Sequence, residues 1–147
     1  MKFLKSTKKT VTDWAFNPIS CEKVGVLKNS EVKIVAEVLP APYTPRLAYF
    51  MVNIKNNSEY DLQNFYAMAN VTDGISLTNL GEMFGTSWRM EKIQSLRKGQ
   101  TIRFKLSLRS NVDSIHGSVN LIISPTSNLD DPEGIKVSLS LHSSVLN

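Results

Sequence analysis

Two histidines, His116 and His142, and one cysteine, Cys21, are the side chains of this chain best suited to moving protons or attacking carbon near neutral pH. None sits in a catalytic pattern. His116 lies in "IHGS", which reads as a turn or the start of a strand, and His142 falls on the polar side of an alternating run. There is no G-x-S-x-G elbow, no H-E-x-x-H pair and no phosphate-binding loop. A lone cysteine forms no intramolecular disulfide, and no Cys/His spacing suits zinc, so Cys21 reads as a free, half-buried thiol. Asp130, Asp131 and Glu133 cluster in "PTSNLDDPEG", but without the D-x-D-x-D-G spacing of a calcium loop; they read as a solvated turn. The sequence therefore predicts a protein that is not an enzyme, with no catalytic residue, no metal ligand and no cofactor.

The other chemistry available is that of positive charge. The net charge of +4 is unevenly distributed. Residues 1–10 carry Lys2, Lys5, Lys8 and Lys9 and no acid, while residues 89–109 hold seven basic residues and one acid. The four lysines could form an arm that neutralises phosphates, a contact blind to sequence and sensitive to salt; a solvated terminus is the plainer reading. In "SLRKGQTIRFKLSLRS", Ile102, Phe104, Leu106 and Leu108 alternate with Arg103, Lys105 and Arg109. A strand places alternate residues on one face, so these cations form a track, with Arg97 and Lys98 at its entrance. Arg97, Lys98, Arg103, Lys105 and Arg109 are thus the candidate surface for an acidic partner or a phosphate. Trp88 and Tyr66 are aromatics near enough in sequence to stack against bases beside it. The competing reading is a plain solvated face, or the cations that keep an edge strand from pairing with other chains.

These residues need elements to hold them. "EVKIVAEV" (31–38) alternates at strand period. "LPAPYTP" follows, where Pro40, Pro42 and Pro45 make an extended connector or an edge. "RLAYFMVNIK" (46–55) is nearly continuously apolar, as in a central strand. "LQNFYAMANV" (62–71) fits strand or helix, and its quick ending at Thr, Asp and Gly favours strand. Residues 72–92 give only short apolar pieces among glycines, with "TSWRMEKI" a turn or short edge strand. Residues 101–109, 114–124 and 135–142 alternate as strands. Six to eight short strands joined by Gly, Pro, Asn and Asp turns, with no long amphipathic helix, predict an all-β antiparallel β-sandwich, Ig-like or jelly-roll. Residues 1–20 are expected to be a short basic N-terminal arm, anchored by Trp14 and Phe16, and residues 21–147 the sandwich domain.

At 147 residues, 41% of them hydrophobic and 20% charged, the composition fits one globular domain with a real core. No stretch has the length of a signal peptide or a membrane span, so a cytoplasmic or virion setting is expected. Glycosylation sequons at Asn56 and Asn70 are expected to be chance.

Two family resemblances bear on function. "YFMVNIKNNSEYDLQNFYAMANVTDGISL", followed by "IQSLRKGQTIRFKLSLRS", resembles Ig-like β-sandwich modules of the adaptin-ear type across about residues 47–110. An Asn/Ser turn ends one strand, an inward Phe marks the next, and a Leu-x-x-Gly turn leads into an alternating strand. That resemblance implies a non-catalytic interaction role and carries over no ligand-binding residue. A basic arm before a sandwich is also similar to small viral jelly-roll coat, movement or accessory proteins, in which the arm holds nucleic acid and the sandwich builds a shell. The expectation is a non-enzymatic structural or protein-interaction module, part of an assembly, that contacts a protein partner or itself through a strand edge or the basic face. The alternative is a viral structural or accessory protein that binds nucleic acid weakly.

Overall fold

The computed structural model describes residues 19–41, 47–72, 74–79, 82–85, 87–89, 92–110 and 116–142. Its elements, in order, are β1 (Ile19–Leu27), β2 (Ser30–Pro40), β3 (Leu47–Asn56), β4 (Leu62–Val71), β5 (Ile75–Asn79), β6 (Glu82–Gly85), β7 (Ser87–Arg89), β8 (Ile93–Leu96), β9 (Thr101–Ser110), β10 (His116–Ser124) and β11 (Ile135–His142). One sheet runs β1-β2-β3-β9-β5-β6 and the other β11-β10-β4-β7, with β8 also on β4; every pairing is antiparallel. The protein is therefore an all-β antiparallel sandwich. The meander β1–β2–β3 and the hairpin β10–β11 each stay within one sheet, an Ig-like habit rather than the sheet-to-sheet alternation of a jelly roll. Among the described residues no helix is long and apolar enough to cross a membrane.

The alternation that predicts each long strand also builds the core. Val32, Ile34, Ala36 and Val38 of β2 face inward beside Ala48, Phe50, Val52 and Ile54 of β3. The second sheet answers with Phe65, Ala67 and Ala69 of β4, and with Val119, Leu121 and Ile123 of β10. The ambiguous segment 62–71 is a strand. Its helix-like spacing comes from Asn64, whose φ of 57° turns the chain so that Leu62 and Phe65, three apart, are both buried.

β1 shows what alternation misses. Its inward positions read Ile19, Cys21, Lys23, Gly25 and Leu27, a charge and a glycine where apolar groups are expected. Gly25 lets β11 close in: a Cβ there would stand 2.9 Å from Ile135 Cδ1. Lys23 Nζ donates to the Lys136 carbonyl of β11 at 2.8 Å, tying the two edges together. Lys28, with φ 50°, and Asn29, with φ 65°, form the two-residue turn into β2, the left-handed pair that such hairpins require. Lys28 Nζ then donates to the carbonyls of Gln63 and Asn64 in the opposite sheet. Ile19 and Ser20 belong to β1, so the strand begins two residues inside the stretch expected to be an arm. Lys2, Lys5, Lys8, Lys9, Trp14 and Phe16 lie outside the described residues, as do Pro42 and Pro45.

Candidate functional site

β9 sits between β3 and β5, so its backbone groups are taken on both sides. The reading of its cations as edge protection is thereby overturned. Leu106 and Leu108 are buried, and Ile102 and Phe104 pack half-buried against the core. The pleat then turns Arg103, Lys105 and Arg109 outward, and all three are exposed. They run about 20 Å along the strand from first to last.

The register defines what surrounds them. Glu37 of β2, Met51 of β3 and Lys105 of β9 form one row across three adjacent strands. Val35, Asn53 and Arg103 form the next row, and Leu39, Tyr49 and Ser107 the row on the other side. Lys105 Nζ lies 4.7 Å from the centre of the Tyr49 ring, a cation held over an aromatic face. A cavity of about 290 Å³ is lined by Glu37, Met51, Asn53, Arg103, Phe104 and Lys105. Glu22 of β1 pairs with Lys33 of β2 at 3.5 Å. Among the described residues, no ion pair joins Arg103, Lys105 or Arg109 to a carboxylate. The outer face of the six-stranded sheet thus has Tyr49 and Met51 at its centre, a net negative charge towards β1 and β2 (Glu22, Glu31 and Glu37 against Lys33), and cations towards β9, with Lys55 of β3 at one end. Met51 is 38% exposed there, and on β1 Val24 is 53% and Val26 64% exposed.

The other two predicted cations stand apart from this face. Arg97 and Lys98 lie in the turn from β8 to β9. Lys98 Nζ pairs with Glu59 at 2.8 Å, and its backbone N–H donates to Asp61 Oδ1 at 3.2 Å. That pairing lowers the pKa of Glu59 and raises that of Lys98, chiefly through their hydrogen bond. The Arg97 N–H donates to Gln100 Oε1 within the same turn. Asn56, fully buried, fixes both turns at this end. Its Nδ2 donates to the carbonyls of Tyr60 at 2.7 Å and Leu96 at 2.9 Å, and its Oδ1 accepts from the N–H and Oγ of Ser58. The sequon at Asn56 therefore has no free amide to modify.

Tyr66 and Trp88 belong to β4 and β7 of the opposite sheet, so neither shares a strand face with Arg103 and Lys105. Tyr49 takes that place. Sequence reading missed it, with Met51 and Glu37, because β3 reads as a nearly unbroken apolar run whose weaker outward set is masked. The opposite sheet's outer face carries a polar ladder across β4, β10 and β11, in which Asn120 Nδ2 donates to Asn70 Oδ1 and Ser138 Oγ donates to Asn120 Oδ1, beside the register partners Met68 and Ile122, which are buried there.

The residues suited to catalysis fall elsewhere. Cys21 is half-buried at the margin of the core. His116 and His142 are register partners at one end of the β10–β11 hairpin; their side chains lie outside the described residues. Asp131 is buried and caps its own loop: Thr126 Oγ1 donates to Oδ2 at 2.6 Å and the Glu133 N–H to Oδ1 at 2.9 Å. The Thr126 hydrogen bond first, then that of Glu133, holds its pKa below the usual carboxylate value. Among the described residues, no group of three or more His, Cys, Asp or Glu side chains could hold a metal ion.

Fold and face together describe an all-β sandwich with one charge-segregated outer surface. Among solved structures, the chain is similar to the GAE domain of GGA2p from Saccharomyces cerevisiae, at 12% identity over 84% of this chain and 100% of that one, with a TM-score of 0.44. That domain is an adaptin-ear module of Ig-like fold. No family model matches the sequence, and no curated protein matches it.

Proposed function

We propose that this protein is a non-enzymatic interaction module whose working surface is the outer face of its six-stranded sheet. One observation carries the reading. Arg103 and Lys105 stand on an interior strand beside Tyr49 and Met51, where edge protection gives them no role. On the opposite sheet's outer face the apolar groups Met68 and Ile122 are buried beside the polar Asn70–Asn120–Ser138 ladder, whereas Met51 stands exposed. Aromatic groups, Met and Arg are the residues enriched where proteins meet. Electrostatic complementarity adds steering and orientation to such a contact.

The test is co-purification from the source cells with the wild type, the M51D and R103E/K105E variants, and S140D on the opposite sheet as control. The expected result is that partners retained by the wild type and S140D are lost from M51D and R103E/K105E. Retention by all four, or equal loss with S140D, would overturn the reading. RNA or DNA recovered in place of protein, and released by salt, would instead favour the nucleic-acid alternative.

A further inference from the structure

The outer face is complementary to itself, and we infer that its partner is a second copy of this chain. The inference rests on the preceding reading of that face and names its occupant. The register places Glu37, Met51 and Lys105 in a single row on adjacent strands. Adjacent strands are about 4.8 Å apart, so Glu37 and Lys105 flank Met51 at equal distances with opposite charge.

Consider two copies laid face to face about a two-fold axis that runs along β3 through Met51. The rotation exchanges the β2 side of one copy with the β9 side of the other. Glu37 then lies over Lys105 of the second copy, and Lys105 over its Glu37, the reciprocal pairing that a two-fold interface demands. Met51 meets Met51, and Tyr49 meets Tyr49 one row away. Arg103 falls over Val35 of the second copy, between its Glu37 and Glu22. Lys55 stands two rows from Met51, at the rim, where a long side chain can turn to solvent.

The area suits a reversible dimer. About this axis β2, β3 and β9 lie over β9, β3 and β2 of the second copy, and three strands of about ten residues present roughly 34 by 14 Å, on the order of 480 Å², below the ~800 Å² per partner of a standard interface, as for a weak contact.

Sedimentation of the purified chain over about a hundredfold range of concentration tests this, because association of this kind follows mass action. The wild type is expected to dimerise, more weakly at high salt. E37K alone and K105E alone each place like charges opposite one another and are expected to weaken the dimer roughly tenfold or more. The E37K/K105E double variant restores opposite charges and is expected to dimerise. An equimolar mixture of E37K and K105E is expected to form a heterodimer tighter than either homodimer. Rescue by mixing also shows that the single variants are folded. A wild type that stays monomeric throughout overturns the inference, as does a dimer unaffected by these changes. If the wild type is monomeric while M51D still loses a cellular partner, the second copy is wrong as occupant and the interaction face stands.

Discussion

Asn56 has no exposed surface, and four hydrogen bonds converge on its amide from the β3–β4 turn and the end of β8. Asn56→Ala strands the buried Leu96 carbonyl, while Ser58 Oγ still reaches that of Tyr60, and a buried group left unmet costs about 1–3 kcal/mol. The expected loss is about 1–3 kcal/mol in urea denaturation, with the outer-face variants unaffected by comparison. Asp131 gives a second prediction at this scale. Its folded pKa is depressed by Thr126 and Glu133, so its contribution is present above the usual carboxylate pKa and is lost as pH falls through the lowered value. Stability measured across the acid range should therefore fall less steeply for Asp131→Asn than for the wild type, and the variant should be the less stable at neutral pH. Neither residue could be singled out from sequence: Asn56 looks like one more turn residue in "KNNSEYD", and Asp131 like one acid among three. Their roles depend on what folds over them.

At the scale of elements, long strands were legible and short ones were not. β2, β9, β10 and β11 show sustained alternation, because one face of each must fill the core, and β3 shows a long apolar run. β5 to β8 hold three to five residues each, too few to show a period. β1 was missed because its edge position tolerates Lys23 and Gly25 inward. That makes a prediction about Gly25→Val. The added side chain meets Ile135 where even a Cβ would be at 2.9 Å, so the β1 edge must shift. The expected cost is about 1–3 kcal/mol. Hydrogen exchange should localise it, with faster exchange in β1 and β11 and little change in β3 and β9. The basic track on β9 was legible as a pattern, but its meaning was not, since alternation cannot say whether a strand lies at the edge or the centre of a sheet.

At the scale of the whole molecule, the two sheets bury matching apolar faces and present unlike outer faces. On one, a ladder of Asn and Ser borders Met68 and Ile122, which are buried; the other leaves Met51 exposed among Tyr49, Glu37, Arg103 and Lys105. No amount of alternation in one strand reveals this, because the surface comes from the neighbouring strands β2 and β3 and from β9, far along the sequence, set side by side. The central claim is that molecules are met on that second face. A photo-reactive amino acid at position 53, replacing Asn53 between Met51 and Arg103, should crosslink strongly to a protein, and the same group replacing Ser138 on the opposite face should not. Equal crosslinking from both positions, or crosslinking from position 138 alone, would contradict it.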